Sequence, residues 1–298
     1  MDFIRLISII LTIIIAITCT LLIKSERIRH FAEQLGTYHK VAYTYKLTDS
    51  PSNLNTTIRF SSGKLVLYPI DAQNNLINFA AKYKLNQTKP EVLFLKNQDS
   101  ANLEIKQKRV RLLSYGLLTK TRWNLGLNTL VTHNIDIETD HVKSTINLSK
   151  LKIKNFNLQI INGLSTIDFS EANPIIMDVM TLAINESATC SLKGLLNSKA
   201  KKINISSRDG KIFLNFSGSL AIPTEVQISG NVKKLKIIIP KTINANIYMP
   251  NINNLNTRIS GFSKHNGFYF YSMVEKQTSR SLKINLLVTK GKIIISTF

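Results

Sequence analysis

The sequence is short of acid. It holds 39 lysine and arginine residues against 18 aspartate and glutamate, a formal net charge of +21. That excess disfavours a basic partner and favours anionic ones: nucleic acid, lipid headgroups or wall polymers. Cysteine is nearly absent. Cys19 and Cys190 cannot form a disulfide framework, and Cys190 reads as a small buried apolar residue. Histidine is sparse and scattered at His30, His39, His133, His141 and His265, with no H-E-x-x-H and no Cys/His pair. There is no G-x-S-x-G elbow, no phosphate-binding glycine loop, and no carboxylate pair set in an apolar run. No catalytic residue, cofactor or metal ligand is therefore assigned, and an enzyme is not expected. His133 and His141 flank a strand carrying Asp136, Glu138 and Asp140, but alternation reads those acids as a solvated polar face. Nucleic acid is not expected either, since aromatic-basic stacking motifs, helix-turn-helix patterns and zinc signatures are missing.

Long apolar runs are missing too, save one. Residues 6–23, LISIILTIIIAITCTLLI, carry no charge, and an apolar stretch of about that length crosses a bilayer as a helix. A cleaved signal peptide is the rival reading, but the run is longer than a usual h-region and no small-x-small site follows before Lys24. A lipoprotein anchored at Cys19 fits less well, because Ala16, Ile17 and Thr18 make a poor lipobox. The expectation is an uncleaved single-pass anchor, residues 1–23, in the cell membrane. Lys24, Arg27 and Arg29 outnumber the flanking Arg5 and favour a cytoplasmic body. A lone apolar segment near residue 1 is nevertheless the ordinary export device, and the body is expected outside the cytoplasm.

What is present is strand patterning. Residues 24–55 form a juxtamembrane segment, with Ile28, Phe31 and Leu35 at helical spacing over 24–40 and a break at Asp49–Asn55. From Thr56 a unit recurs: an alternating strand, a polar turn, another alternating strand. Ile135–Ser149, Leu158–Ser170, Ile203–Ser217, Val226–Pro240 and Ile284–Phe298 all follow it. In the first, Ile135, Ile137, Ile146 and Leu148 alternate with polar residues, which buries one face of a sheet. Gly163, Asp209-Gly210, Gly230-Asn231 and Gly291 mark the turns. Repetition at roughly 20 to 30 residues predicts a β-solenoid or rack of stacked strands. A helical turn is conceivable within Ala172–Leu182 only. The body divides into an N-terminal β region, 56–170, and a C-terminal one, 171–298, continuing the stack.

The order of these segments resembles the bacterial toast-rack family. Gly63, Leu65 and Leu67, then Leu76, Phe79 and Tyr83, then Pro90, Val92 and Phe94, then Leu103 and Ile105 match its opening. Trp123–Ser170 is similar to its central Trp-x-Leu, I-x-I and "LDLSxLxLxxLxI" signature, and the likeness runs through Phe216-Ser217-Gly218 and Ile238-Ile239-Pro240 to the closing Gly291-Lys292-Ile293-Ile294-Ile295. Thr139-Asp140-His141 and Ser206-Ser207-Arg208 stand where that family often has Gly-Ala-Gly, which puts the turn geometry in question. The resemblance implies an all-β stacked-strand body that acts by binding: envelope-stress sensing or scaffolding, alternatively a surface adhesin-like structural role. The implied partners are a membrane protein or an anionic envelope polymer. Candidate contact residues are Lys233, Lys234 and Lys236, and the aromatic cluster where Tyr269 and Tyr271 face outward beside Lys264, if Phe268 and Phe270 face inward. Trp123 is expected in the core.

Overall fold

The computed structural model describes residues 11, 12, 15, 38–47, 51–71, 74–84, 89–107, 121–251, 255–265, 268–271 and 281–298. The apolar run 6–23, apart from Leu11, Thr12 and Ile15, and the helical spacing at Ile28–Leu35 lie outside these. Among the described residues, no helix is long and apolar enough to cross a membrane.

The body is all-β. The chain enters through β1 (Tyr38–Lys46) and turns a first corner from β2 (Asn53–Phe60) into β3 (Gly63–Ile70). β4 (Asn75–Lys84), β5 (Glu91–Lys96), β6 (Ser100–Lys106) and β7 (Arg122–Asn128) are inserted next. The corner unit then repeats as β8 (Thr132–Thr139) into β9 (Val142–Asn147), β10 (Lys152–Ile160) into β11 (Gly163–Asp168), and β12 (Met177–Ile184) into β13 (Ala188–Lys193). After a 3-10 turn at Leu195–Ser198, β14 (Ala200–Asn215) and β15 (Thr224–Ile239) each cover both halves of a unit in one bent strand. Four short strands, β16 (Ala245–Tyr248), β17 (Asn256–Ile259), β18 (Ser263–His265) and β19 (Phe268–Tyr271), precede a last bent strand, β20 (Leu282–Thr297).

These units stack as rungs, and their pairings with one another are parallel. The first halves build a first sheet in the order β6-β2-β8-β10-β12-β14-β15-β20-β16, extended by antiparallel β5 at one end and β19-β18 at the other. The second halves build a second sheet, β7-β3-β9-β11-β13-β14-β15-β20-β17, extended by antiparallel β4 and β1. The pairings β10–β12 and β11–β13 cross residue 170 without a break.

Both sheets turn one face onto a shared core. Because side chains alternate, register alone aligns apolar residues into rows. Ile105, Ile58, Ile137, Leu158, Leu182, Ile205, Ile228 and Leu286 form one such row on the first sheet. Phe79, Leu125, Leu67, Ile146, Ile167, Leu192, Leu214, Ile237 and Ile295 form its counterpart on the second. Trp123 is fully buried, stacked on Phe60 at 4.2 Å and edge-on to Phe79 at 5.5 Å, as a core residue should be. The corners are tight. At Gly163 (φ 107°) an added Cβ would sit 2.2 Å from the Val142 carbonyl oxygen of the rung beside it. The glycine-free corner at Asp140-His141 closes with His141 itself at φ 47°, its Nδ1 2.6 Å from Asp140 Oδ1. β14 bends through Asp209 at φ 59°, where Ser207 Oγ accepts from the Gly210 amide at 3.1 Å.

Two expectations are corrected. Strand begins at Tyr38, so Tyr38–Lys40 is not the end of a helix. Val41, Tyr43 and Tyr45 alternate and pack on the core beside β4, which outweighs the helical spacing read upstream. The helical turn considered at Ala172–Leu182 is instead strand from Met177, because β10 and β14 offer ladders on both sides. The turn occurs at Leu195–Ser198.

Candidate binding surface

On the outward face of the first sheet, acids and amides are paired by the sheet's own residues. Asn55 Nδ2 donates to Asn102 Oδ1, Asn134 Nδ2 to Asn55 Oδ1, and Asn155 Nδ2 to Asn134 Oδ1, each at 2.9 Å. This amide ladder crosses four strands because the register sets the four asparagines side by side. Two residues further along each strand, Asn157 donates to Asp136 at 2.6 Å. Arg59 bridges Asp136 at 2.9 Å and Glu138 at 3.3 Å. Lys154 and Lys201 both reach Asp178, at 2.8 and 2.9 Å, and their hydrogen bonds hold its carboxyl below the usual carboxylate range. The expected solvated acidic face is therefore present, and its acids are matched by cations.

The second sheet differs. Among the described residues, acids on the first sheet's strands are Glu91, Glu104, Asp136, Glu138, Asp178 and Glu225, Asp209 sits at the bend of β14 between the two sheets, and Asp168 is the acid on the second sheet's strands proper. Lys211, Lys234 and Lys292 stand in register on adjacent strands of that face. Lys234 lies 5.6 Å from the Phe213 ring. Among the described residues, no acid pairs with any of the three.

The sequence candidates fall into two separate places. Lys234 and Lys236 lie on the outward face of the second sheet, with Lys233 at the register irregularity beside the corner. Lys264 and Tyr269 lie at the far end of the first sheet, facing each other across β18 and β19 with the ammonium 5.9 Å from the ring. The outward orientation expected for Tyr269 is corrected. It stands opposite the buried Ile247 and packs half-buried against the core, since pairing with β16 sets the phase of β19. The Tyr271 side chain lies outside the described residues. Lys211 and Lys292 were missed. Aligning the repeats on the first apolar residue after each corner, Ile212, Leu235 and Ile293, would have placed them beside Lys234.

The interior supplies little chemistry. His133 is buried on the inward face of β8, its Nε2 2.6 Å from the Asn128 carbonyl oxygen and its Nδ1 without a partner. Burial pushes its pKa down to about 4, with Lys152 adding to the effect and the Asn128 contact opposing it. Asp136 and Glu138 point the other way, so His133, His141 and the acids do not converge. Among the described residues, no group of His, Cys, Asp and Glu is placed to hold a metal. Cys190 is buried, and desolvation raises its thiol to about 12. A corner cleft of about 40 Å³ beside Arg59, Ser61, Gln107, Glu138 and Asp140 has room for little more than water.

Residues 36–181 match the model of a protein family described as the N-terminal domain of toast_rack. The match starts with β1, upstream of Thr56. Among solved structures, a "putative cell adhesion protein" from Clostridium sporogenes is similar at 17% identity, covering 88% of this chain and 100% of that one with a TM-score of 0.47. A "putative adhesin" from Bacteroides fragilis is similar at 10% identity, covering 88% and 97% with a TM-score of 0.36. A "putative lipid binding protein" from Parabacteroides distasonis is similar at 9% identity, covering 88% and 97% with a TM-score of 0.35. No curated protein matches the chain.

Proposed function

Over residues 36–181 the chain belongs to the toast-rack family, and on that premise we propose that it is a non-enzymatic binding protein of the cell envelope, with the apolar run 6–23 as its membrane anchor. The observation that carries this reading is the sorting of charge between the two faces. The stack pairs acids of the first face with its own cations and leaves the second face basic, with its lysine row unpaired. Such a surface attracts an anionic component of the envelope, in an adhesive or scaffolding role. The test is retention of the full chain, in mild non-ionic detergent, on isolated envelopes at low salt, with release at high salt. Retention that ignores salt, or no retention, overturns the reading. Protease digestion of a C-terminal tag on intact and lysed cells tests the side: cleavage in intact cells supports an extracytoplasmic body, and protection until lysis sinks the adhesive role. A signalling role, as a regulator of envelope-stress responses, additionally requires a membrane-protein partner that co-purifies in the same detergent.

A further inference from the structure

The cations of the second sheet are concentrated in one row. Following the register from the β1 edge, Lys40, Lys82, Arg122, Lys64 and Lys143 stand side by side on five successive strands. Leu164 and Thr189 interrupt, and Lys211, Lys234 and Lys292 continue on the next three. All eight point outward, and all but the half-buried Lys234 are exposed. With strands about 4.8 Å apart, the row is a straight line of roughly 40 Å along the stack. The next outward row carries a single cation, Lys236, over the same strands, with Asn124, Val66, Thr145, Thr166, Ser191 and Phe213 in register before it.

Such a row works against the fold. Like charges directly opposite on neighbouring strands repel, and no acid is interposed among the eight. On the first sheet the same chain places acids beside its cations, so the omission is not a property of the composition. A compensating charge has to come from outside, and its shape is dictated by the line. A lipid surface would draw on the whole face, including that next row. A linear polyanion needs one row only. Seven of the eight cations are lysines, compact charges that suit phosphates without demanding planar, bidentate geometry. Single-stranded nucleic acid calls for a run of aromatic platforms beside the basic track, whereas among the described residues the aromatics flanking this row are Phe213 beside Lys234 and Tyr38 beside Lys82, at opposite ends of it. We propose that this row is the docking track for a linear, base-free phosphodiester polymer of the envelope, lying along the stack axis with its phosphates against Lys211, Lys234 and Lys292 and continuing towards Arg122 and Lys40. The proposal rests on the envelope-binding reading and names its ligand class.

The test uses the full chain in non-ionic detergent and end-labelled poly(glycerol phosphate) as probe, followed by anisotropy over a salt titration. The triple variant K211Q/K234Q/K292Q is compared with K202Q/K241Q/K283Q, which removes the same charge from exposed positions off the row. Circular dichroism confirms that both variants fold. The row variant is expected to weaken binding by about tenfold or more and to flatten the log–log salt dependence by about two, while the control stays at the native affinity. Equal weakening in both variants would reduce the row to diffuse charge and overturn the proposal. Phosphatidylglycerol vesicles or an oligo-dT strand bound as tightly as the polymer would overturn it in favour of a lipid or nucleic-acid surface. Retention on envelopes without binding to the polymer would sink this inference and leave the envelope reading standing; failure of both would sink both.

Discussion

On the first sheet, Arg59 reaches across to Asp136 and Glu138, and Lys154 and Lys201 close on Asp178. On the second sheet, Lys211, Lys234 and Lys292 face one another with no acid between them. The same rungs build both faces: β14, β15 and β20 run through both sheets without a break. The difference therefore cannot come from topology or from core packing. Inward positions obey the stack, and outward positions are free of it. A charge pattern that weakens the stack while leaving the core intact records something other than folding.

If the inward rows are equivalent, breaking either should cost the same. Leu182 on the first sheet and Leu192 on the second are both buried among in-register aliphatic neighbours. Leu182→Ala and Leu192→Ala are each expected to lower stability by about 2–5 kcal/mol, read from urea denaturation. A large cost on one side only would show that the two sheets are not supported by one core.

The faces should part company in acid. His133 is the buried histidine of the first sheet, and its folded pKa of about 4 lies below the unfolded value of 6.5. Above pH 6.5 both states are neutral there, and the full stability is present. As pH falls from 6.5 towards 4, the unfolded chain takes up a proton that the folded protein refuses, so stability drops, by up to about 3 kcal/mol. His133→Gln should flatten that part of the stability–pH curve. Cys190, buried in the second sheet, titrates far above this range and contributes nothing to it. An unchanged slope in the variant would assign the acid sensitivity elsewhere.

Much of this comparison was legible in the sequence, and the remainder was hidden for a physical reason. Alternation marked the strands, and glycines marked corners at Gly163, Gly230 and Gly291, because period two and positive φ are local properties. Even the corner at Asp140-His141, lacking glycine, was visible as an interruption of the alternation. Which strand lies beside which is not local. The insertion of β4 to β7 puts β6 beside β2 and β7 beside β3, so Asn102 meets Asn55 and Arg122 meets Lys64 across long stretches of chain. Lys233, Lys234 and Lys236 stood out as a cluster along one strand, whereas the row that matters runs across strands, through Lys211 and Lys292. Tyr269 was misoriented for the same reason, since the phase of β19 is set by Ile247 opposite it.

The asparagine ladder sharpens the contrast at smaller energy. Asn134 holds two of its hydrogen bonds, one to Asn55 and one from Asn155. Asn134→Ala should cost about 1 kcal/mol, a net figure because the freed amides return to water. Thr145, an exposed outward residue of the second sheet, makes no comparable contact, and Thr145→Ala should change stability by less than about 0.5 kcal/mol. Thermal midpoints of the two variants check this. Equal shifts would mean that the ladder is decorative.

The smallest effects are the most telling because they should have opposite signs. Arg59→Gln removes a cation that sits between two acids, and exposed pairs of this kind contribute about 0.2–1 kcal/mol, so the variant should be slightly less stable. Lys234→Gln removes the central member of three like charges, so relief of cross-strand repulsion should make that variant more stable by a few tenths of a kcal/mol. Salt separates the two further. Screening should shrink both changes, as Arg59 loses the advantage of its pairs and Lys234 loses the penalty of its neighbours. Paired denaturation curves at low and high ionic strength read all four values. Should Lys234→Gln destabilise the protein at low salt, the lysine row would be serving the fold, and the case for an external polyanion would lose its physical basis. Should it stabilise the protein while weakening polymer binding, one residue would show stability given up for recognition.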